Sequence, residues 1–130
     1  SEDQIVVISF KQKVLKQLKA VAPGYKTSWL VSFKKRGRLG KISPTYSAVL
    51  ETLSMIQADG LSTSRNLVDA FFISLLTERG VGHHVWTIDD GKTAKHFQKL
   101  GTKSITTNVP EDILSAYDFI PADQTPALAP

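Results

Sequence analysis

A chain of 130 residues has room for one modest domain with a single core, and 42% apolar and 22% charged residues are ordinary for a globular protein. Lys and Arg number 16 against 12 Asp and Glu, a net charge of +4 that favours anions mildly and falls well short of a nucleic-acid signature. The lack of cysteine excludes disulfides and thiolate zinc sites, and no apolar run approaches the roughly 20 residues that cross a bilayer.

Ser1-Glu-Asp-Gln lacks the basic and apolar regions of a signal peptide. The compartment stays open, with a cytoplasmic one slightly favoured over periplasmic or secreted. Residues 5–9, Ile-Val-Val-Ile-Ser, form a β-branched run expected as a strand covered on both faces. Residues 11–22 then read as a helix. Val14, Leu15, Leu18 and Val21 make its apolar stripe, Lys11, Lys13, Lys16 and Lys19 stay solvated, and Pro23-Gly24 stops it.

A second strand is expected over residues 27–33, followed by a basic, glycine-containing loop over residues 34–41. Ser43-Pro44 reads as a helix start, a cap and then Pro at the first position. Val49, Leu50, Leu53 and Ile56 give that helix its buried face. A short strand is expected around Leu61, over residues 60–63.

Residues 65–79 carry the strongest helical pattern, with Leu67, Val68, Phe71, Phe72, Leu75 and Leu76 on one wide face and Gly80 at the C-terminal cap. Residues 83–88 read as a strand closed by Asp89, Asp90 and Gly91. A helix through Ala94, Phe97 and Leu100 ends at Gly101, and a last strand covers residues 104–107. Asn108 is then a helix cap, Pro110 stands near the first helical position, and Glu111 and Asp112 suit the macrodipole of a short final helix to residue 117. Residues 118–130 are Pro-, Ala- and polar-rich and are expected as an irregular tail.

Five strand–helix units imply an α/β fold with a parallel sheet and right-handed crossovers, spanning residues 1–117 without an internal boundary. Five parallel strands also permit a doubly wound, flavodoxin-like domain, although no Gly-rich phosphate loop follows the first strand. In parallel α/β proteins the chemistry sits in loops at the carboxyl ends of strands.

Alternation puts His84 and Trp86 on one face of their strand and His83 on the other, so the two histidines cannot readily hold one ion. His96 belongs to a helix. Asp89-Asp90 and Glu111-Asp112 are adjacent pairs at helix starts, where capping is the simpler role. The basic cluster Lys34, Lys35, Arg36, Arg38 and Lys41 is either a solvated loop or, at the rim, an attractor for anionic ligands.

His84-Val-Trp-Thr-Ile-Asp89, then a helix, then Gly101 and Ile105-Thr-Thr-Asn-Val-Pro110 resembles the last two strand–loop units of the glycerophosphodiester phosphodiesterases. That family's pattern is V-W-T-V-N and then G-V-D-x-I-x-T-D-x-P. The departures are Ile88 for Val, Asp89 for Asn, Lys103 for Asp and Asn108 for Asp. Ser9-Phe10 falls on the Ser-Phe pair that ends the family's fourth strand.

The resemblance implies the C-terminal five βα units, fourth to eighth, of a TIM (β/α)8 barrel that is incomplete in this chain. It implies hydrolysis of a glycerophosphodiester to sn-glycerol 3-phosphate and an alcohol, assisted by a divalent metal, Mg2+ or Ca2+. The family's metal ligands and histidines lie in its first three units, in His-Arg-Gly, Glu-x-Asp, a later His and a Glu-x-Lys strand. No catalytic residue or metal ligand is therefore expected in this chain, while Phe10 and Trp86 are implied as substrate-binding pocket wall. Its expected partners are the substrate and the missing N-terminal part of the barrel or another chain, with no nucleic acid and no transmembrane segment. Alone it is expected to be inactive. The alternative is a non-catalytic α/β binding module for phosphorylated small molecules or anionic surfaces, using the basic loop.

Overall fold

The computed structural model describes residues 5–116; the expected tail over residues 118–130 and Tyr117 lie outside the described residues. Strands and helices follow in the order β1 (Val6–Ser9), α1 (Gln12–Val21), β2 (Lys26–Val31), β3 (Lys34–Arg36), β4 (Lys41–Ser43), α2 (Tyr46–Ile56), β5 (Gly60–Ser64), α3 (Ala70–Glu78), β6 (Gly82–Trp86), α4 (Gly91–Leu100), β7 (Ser104–Ile105) and α5 (Pro110–Ala116). Strands β1, β2, β5, β6 and β7 form one sheet in that spatial order, and every pairing is parallel.

Each strand of this sheet lies beside the next one in the chain, apart from the separate β3–β4 pair. A doubly wound domain reverses its strand order at a switch point. No reversal occurs here, so the flavodoxin-like alternative is corrected to a singly wound sheet. Right-handed crossovers in one direction put the helices on one face. The core lies there: Leu15 of α1, Val49 and Leu53 of α2, Phe72, Ile73 and Leu76 of α3 and Phe97 of α4 meet Trp29, Val31, Leu61 and Val85 of the strands.

Side-chain caps fix three of the helix starts. Thr45 accepts from the Ala48 amide, Asp69 from Phe72 and Asp90 from Thr93, each satisfying an amide that the first turn leaves unpaired. Gly101 ends α4 at φ +98°, a left-handed conformation that glycine adopts without penalty.

Several local expectations are corrected. Pro44 precedes the cap instead of opening the helix; Thr45 is the cap, and the Ser43–Pro44 peptide is cis. Helix α3 begins at Ala70, because Asp69 caps it and Leu67 is left-handed at φ +62°. Val68 still reaches the core, but Phe71 is 66% exposed. Asn108 does not cap α5: its side-chain amide donates to Asp89 at 3.1 Å. The basic stretch is a hairpin, in which Lys34, Lys35 and Arg36 pair antiparallel with Ser43, Ile42 and Lys41. Gly37 and Gly40, at φ +75° and +61°, make its turn, and the Gly40 amide donates to the Gly37 carbonyl. Strand β1 is not covered on both faces, since Val6 and Ile8 are about half exposed.

Candidate functional site

Opposite the helices the sheet presents a concave face. Its lining alternates along every strand: Val6 and Ile8 of β1, Ser28 and Leu30 of β2, Ser62 of β5, His84 and Trp86 of β6 and Ser104 of β7, with Phe10 and Thr106 just beyond strand ends. Together they line an open hollow of about 510 Å3. That volume lies in the range of small-molecule sites, and its mixture of apolar walls with a few hydroxyls is what such sites use.

Phe10 and Trp86 stand at the carboxyl ends of β1 and β6 and meet edge to face, ring centroids 6.4 Å apart and planes at 80°. The Phe10 backbone is held from beneath, where its carbonyl accepts from the Trp29 indole at 3.1 Å. Phe10 is 61% exposed, and the Trp86 Nε1 is shielded from water with no hydrogen-bond partner among the described residues. The two implied pocket residues are thus brought together at the rim where parallel α/β proteins place their sites.

His84, on the same face as Trp86, leans toward the amino ends of the strands. Its ring lies over Gly60 and Gly82, the first residues of β5 and β6; a Cβ at Gly60 would come within 3.1 Å of Nε2, so a side chain there would crowd the imidazole. His84 Nδ1 lies 2.6 Å from the Ser104 hydroxyl. Burial, and then the Lys103 charge, lower its pKa, which keeps the ring neutral near pH 7. A serine beside a histidine needs a group that orients the far nitrogen before it becomes a nucleophile. Here Nε2 faces glycine backbone, so Ser104 orients the ring and is not activated by it. Deeper in the floor the Ser28 and Ser62 hydroxyls share a hydrogen bond of 2.7 Å.

His83 lies across the sheet among the core residues, its Nε2 2.8 Å from Thr63 Oγ1 and its Nδ1 2.8 Å from Thr102 Oγ1. Burial, with His84 adding to it, lowers its pKa to about 4. The opposite facing of the two histidines agrees with strand alternation. No carboxylate lines the concave face, and among the described residues no three His, Asp or Glu side chains cluster at metal-binding distance. The described residues of this face do not fit a divalent cation.

The carboxylates at the rim hold loops. Asp90 caps α4, and Asp89 accepts from the Asn108 amide at 2.8 Å, the Asn108 side chain at 3.1 Å and the Thr107 hydroxyl at 3.1 Å. These bonds keep the Asp89 carboxyl below its usual range, the Asn108 amide contributing most. They tie the loop after β6 to the loop after β7. Part of the lining was missed in sequence: Ser28, Leu30 and Ser62 carry no motif, Ser104 and Thr106 fall at the unspecified positions of the last strand's pattern, and their shared alternation with His84 and Trp86 is what marks them as lining.

Residues 1–112 match the glycerophosphoryl diester phosphodiesterase family. No curated protein matches the chain. Among solved structures it is similar to an Oleispira antarctica phosphodiesterase in complex with the product sn-glycerol-3-phosphate, at 23% identity and TM-score 0.70 over 85% of this chain and 40% of that one. It is also similar to a glycerophosphodiester phosphodiesterase from Parabacteroides distasonis, at 24% identity and TM-score 0.61 over 83% of this chain and 40% of that one. The chain therefore spans about two fifths of the length of these structures, and the likeness is one of fold: five parallel strands and their helices matching part of a barrel. On the match across residues 1–112, the chain belongs to the glycerophosphoryl diester phosphodiesterase family.

Proposed function

We propose that the chain is one part of a phosphoric diester hydrolase that cleaves glycerophosphodiesters to sn-glycerol 3-phosphate and an alcohol, and that Phe10 and Trp86 form the wall against the glycerol moiety. The observation that carries this reading is the phenyl–indole pair at the carboxyl rim, above a concave face without an acid–base or metal-binding set among the described residues. Family membership supports it, as does the product held by the Oleispira antarctica protein. In the hydrolysis, water forms a new bond to phosphorus, the bond from phosphorus to the alcohol oxygen breaks, and the alcohol leaves with a proton.

This chain's share is to bind, orient and exclude water. Aromatic edges and faces pack against the carbon skeleton of glycerol, and nearby hydroxyls such as Thr106 offer hydrogen bonds. The acid–base groups, and the ligands of the Mg2+ or Ca2+ that the family implies, belong to sequence outside this chain, in a preceding part of the barrel or in another chain. Two observations fit that division: β1 pairs only with β2 and β7 only with β6, so both ends of the described sheet are open to further strands.

In the complete protein, Phe10→Ala and Trp86→Ala should each raise KM for a glycerophosphodiester about tenfold while kcat stays within about threefold, as expected when uniform binding is lost. Steady-state kinetics with sn-glycero-3-phosphocholine measures both. An unchanged KM in both variants contradicts the pocket assignment. A complete protein that binds glycerol 3-phosphate but hydrolyses no diester would instead be a non-catalytic binding module.

A further inference from the structure

The charge of this chain is sorted along its length. Residues 4–50 hold 10 of the 16 Lys and Arg and none of the 12 Asp and Glu, and the remainder of the chain is net acidic. The densest part of the basic block is the β3–β4 hairpin, which leaves the carboxyl end of β2. Phe33, at its root, is buried between Tyr46 and Phe72 with ring centroids 5.3 and 5.5 Å away, so the hairpin has a firm base.

The register sorts the hairpin's side chains. Residues directly opposite in an antiparallel pair share a face. Lys35 and Ile42 form one face, and Ile42 packs on the core. Lys34, Arg36 and Lys41 therefore point outward, with Arg36 directly opposite Lys41. A like-charge pair opposite one another is unfavourable by itself, and the hairpin contains no acid to relieve it. Between Arg38 and Gly40 at the tip, Leu39 is 83% exposed. The neighbouring carboxyl end of β1 adds exposed Phe10, Lys11 and Lys13 to the same rim.

We propose that the β3–β4 hairpin docks this rim on an anionic lipid surface, with Lys34, Arg36 and Lys41 against the headgroups and Leu39 in the interface. A cationic face with a single apolar tip is the combination that interfacial binding uses: charge supplies the attraction and a small apolar insertion adds to it. A nucleic acid fits less well, because the hairpin offers no aromatic side chain on which a base can stack. The inference stands apart from the hydrolase reading, since vesicle binding is read without turnover.

Co-sedimentation of the full-length protein with vesicles of phosphatidylcholine containing about 30% phosphatidylglycerol tests it against pure phosphatidylcholine. Binding to the anionic vesicles is expected, weakening steeply with salt. The triple variant Lys34→Gln, Arg36→Gln, Lys41→Gln should bind about 100-fold more weakly, and Leu39→Ser about tenfold more weakly. Lys34→Arg with Lys41→Arg should bind as the parent does, which separates charge from damage to the hairpin; an unchanged circular dichroism spectrum checks the fold. Equal binding to neutral vesicles, undiminished binding by the triple variant, binding to RNA in preference to vesicles, or no vesicle binding at low salt would each overturn the proposal.

Discussion

On the helix-covered face of the sheet, His83 is 2% exposed and wedged between two threonine hydroxyls; one residue later, on the concave face, His84 is only partly buried and holds a single serine. The contrast runs across the whole sheet. On the helix side of the sheet Leu61, Phe72 and Leu76 have no exposure at all, whereas on the open side Ile8 is 54% and Phe10 61% exposed. One face of each strand is thus finished as core, and the other is shaped as a wall. In a barrel both faces of every strand are buried, so a wall left bare in the described residues is what part of a barrel should show.

The largest expected effect comes from truncating leucines on the two faces. Leu61→Ala, on the covered face, should cost about 3 to 5 kcal/mol in denaturant unfolding, because removal of a fully buried side chain leaves a cavity. Leu30→Ala, on the open face, should cost about 1 kcal/mol in this chain, since the side chain is already partly in water. Equal costs would break the comparison between faces.

The next effect is one of pH. His83 has a folded pKa of about 4 against an ordinary 6.5, so protons bind the unfolded chain more readily between those values. Its contribution is present in full above pH 6.5 and is lost as pH falls from 6.5 toward 4, amounting to about 3 kcal/mol. Unfolding measured across that window should slope less steeply in His83→Gln than in the parent. An identical slope would show that His83 is not the titrating group.

Where the residues themselves dictate geometry, the fold was legible. The β-branched and aromatic stretches gave the parallel strands, and alternation separated His83 from His84. Asp90 and Gly101 cap α4 much as short polar and flexible residues should. Tertiary context overrode local pattern elsewhere. Leu67 and Val68 fit a helical stripe, yet the Asp69 cap and the left-handed Leu67 start the helix later. Asn108 suited a cap, but Asp89 across the rim engages its side chain. The basic stretch hid a hairpin because its strands are three residues each and carry charges instead of the usual β-formers. Phe10 and Trp86 came to attention through motifs, while the serines of the concave floor had none. The basic cluster at residues 34–41 was legible, but the modest net charge concealed the wider acid-free block over residues 4–50, since a total says nothing about order along the chain.

The most direct test of the unfinished-wall account is a metal-supplemented hydrolysis assay on this chain by itself and joined to the rest of its barrel, with sn-glycero-3-phosphocholine as substrate and release of sn-glycerol 3-phosphate as the readout. The account predicts no release by the chain alone and release once the barrel is complete. Turnover by the isolated chain at a rate matching the complete protein would contradict it.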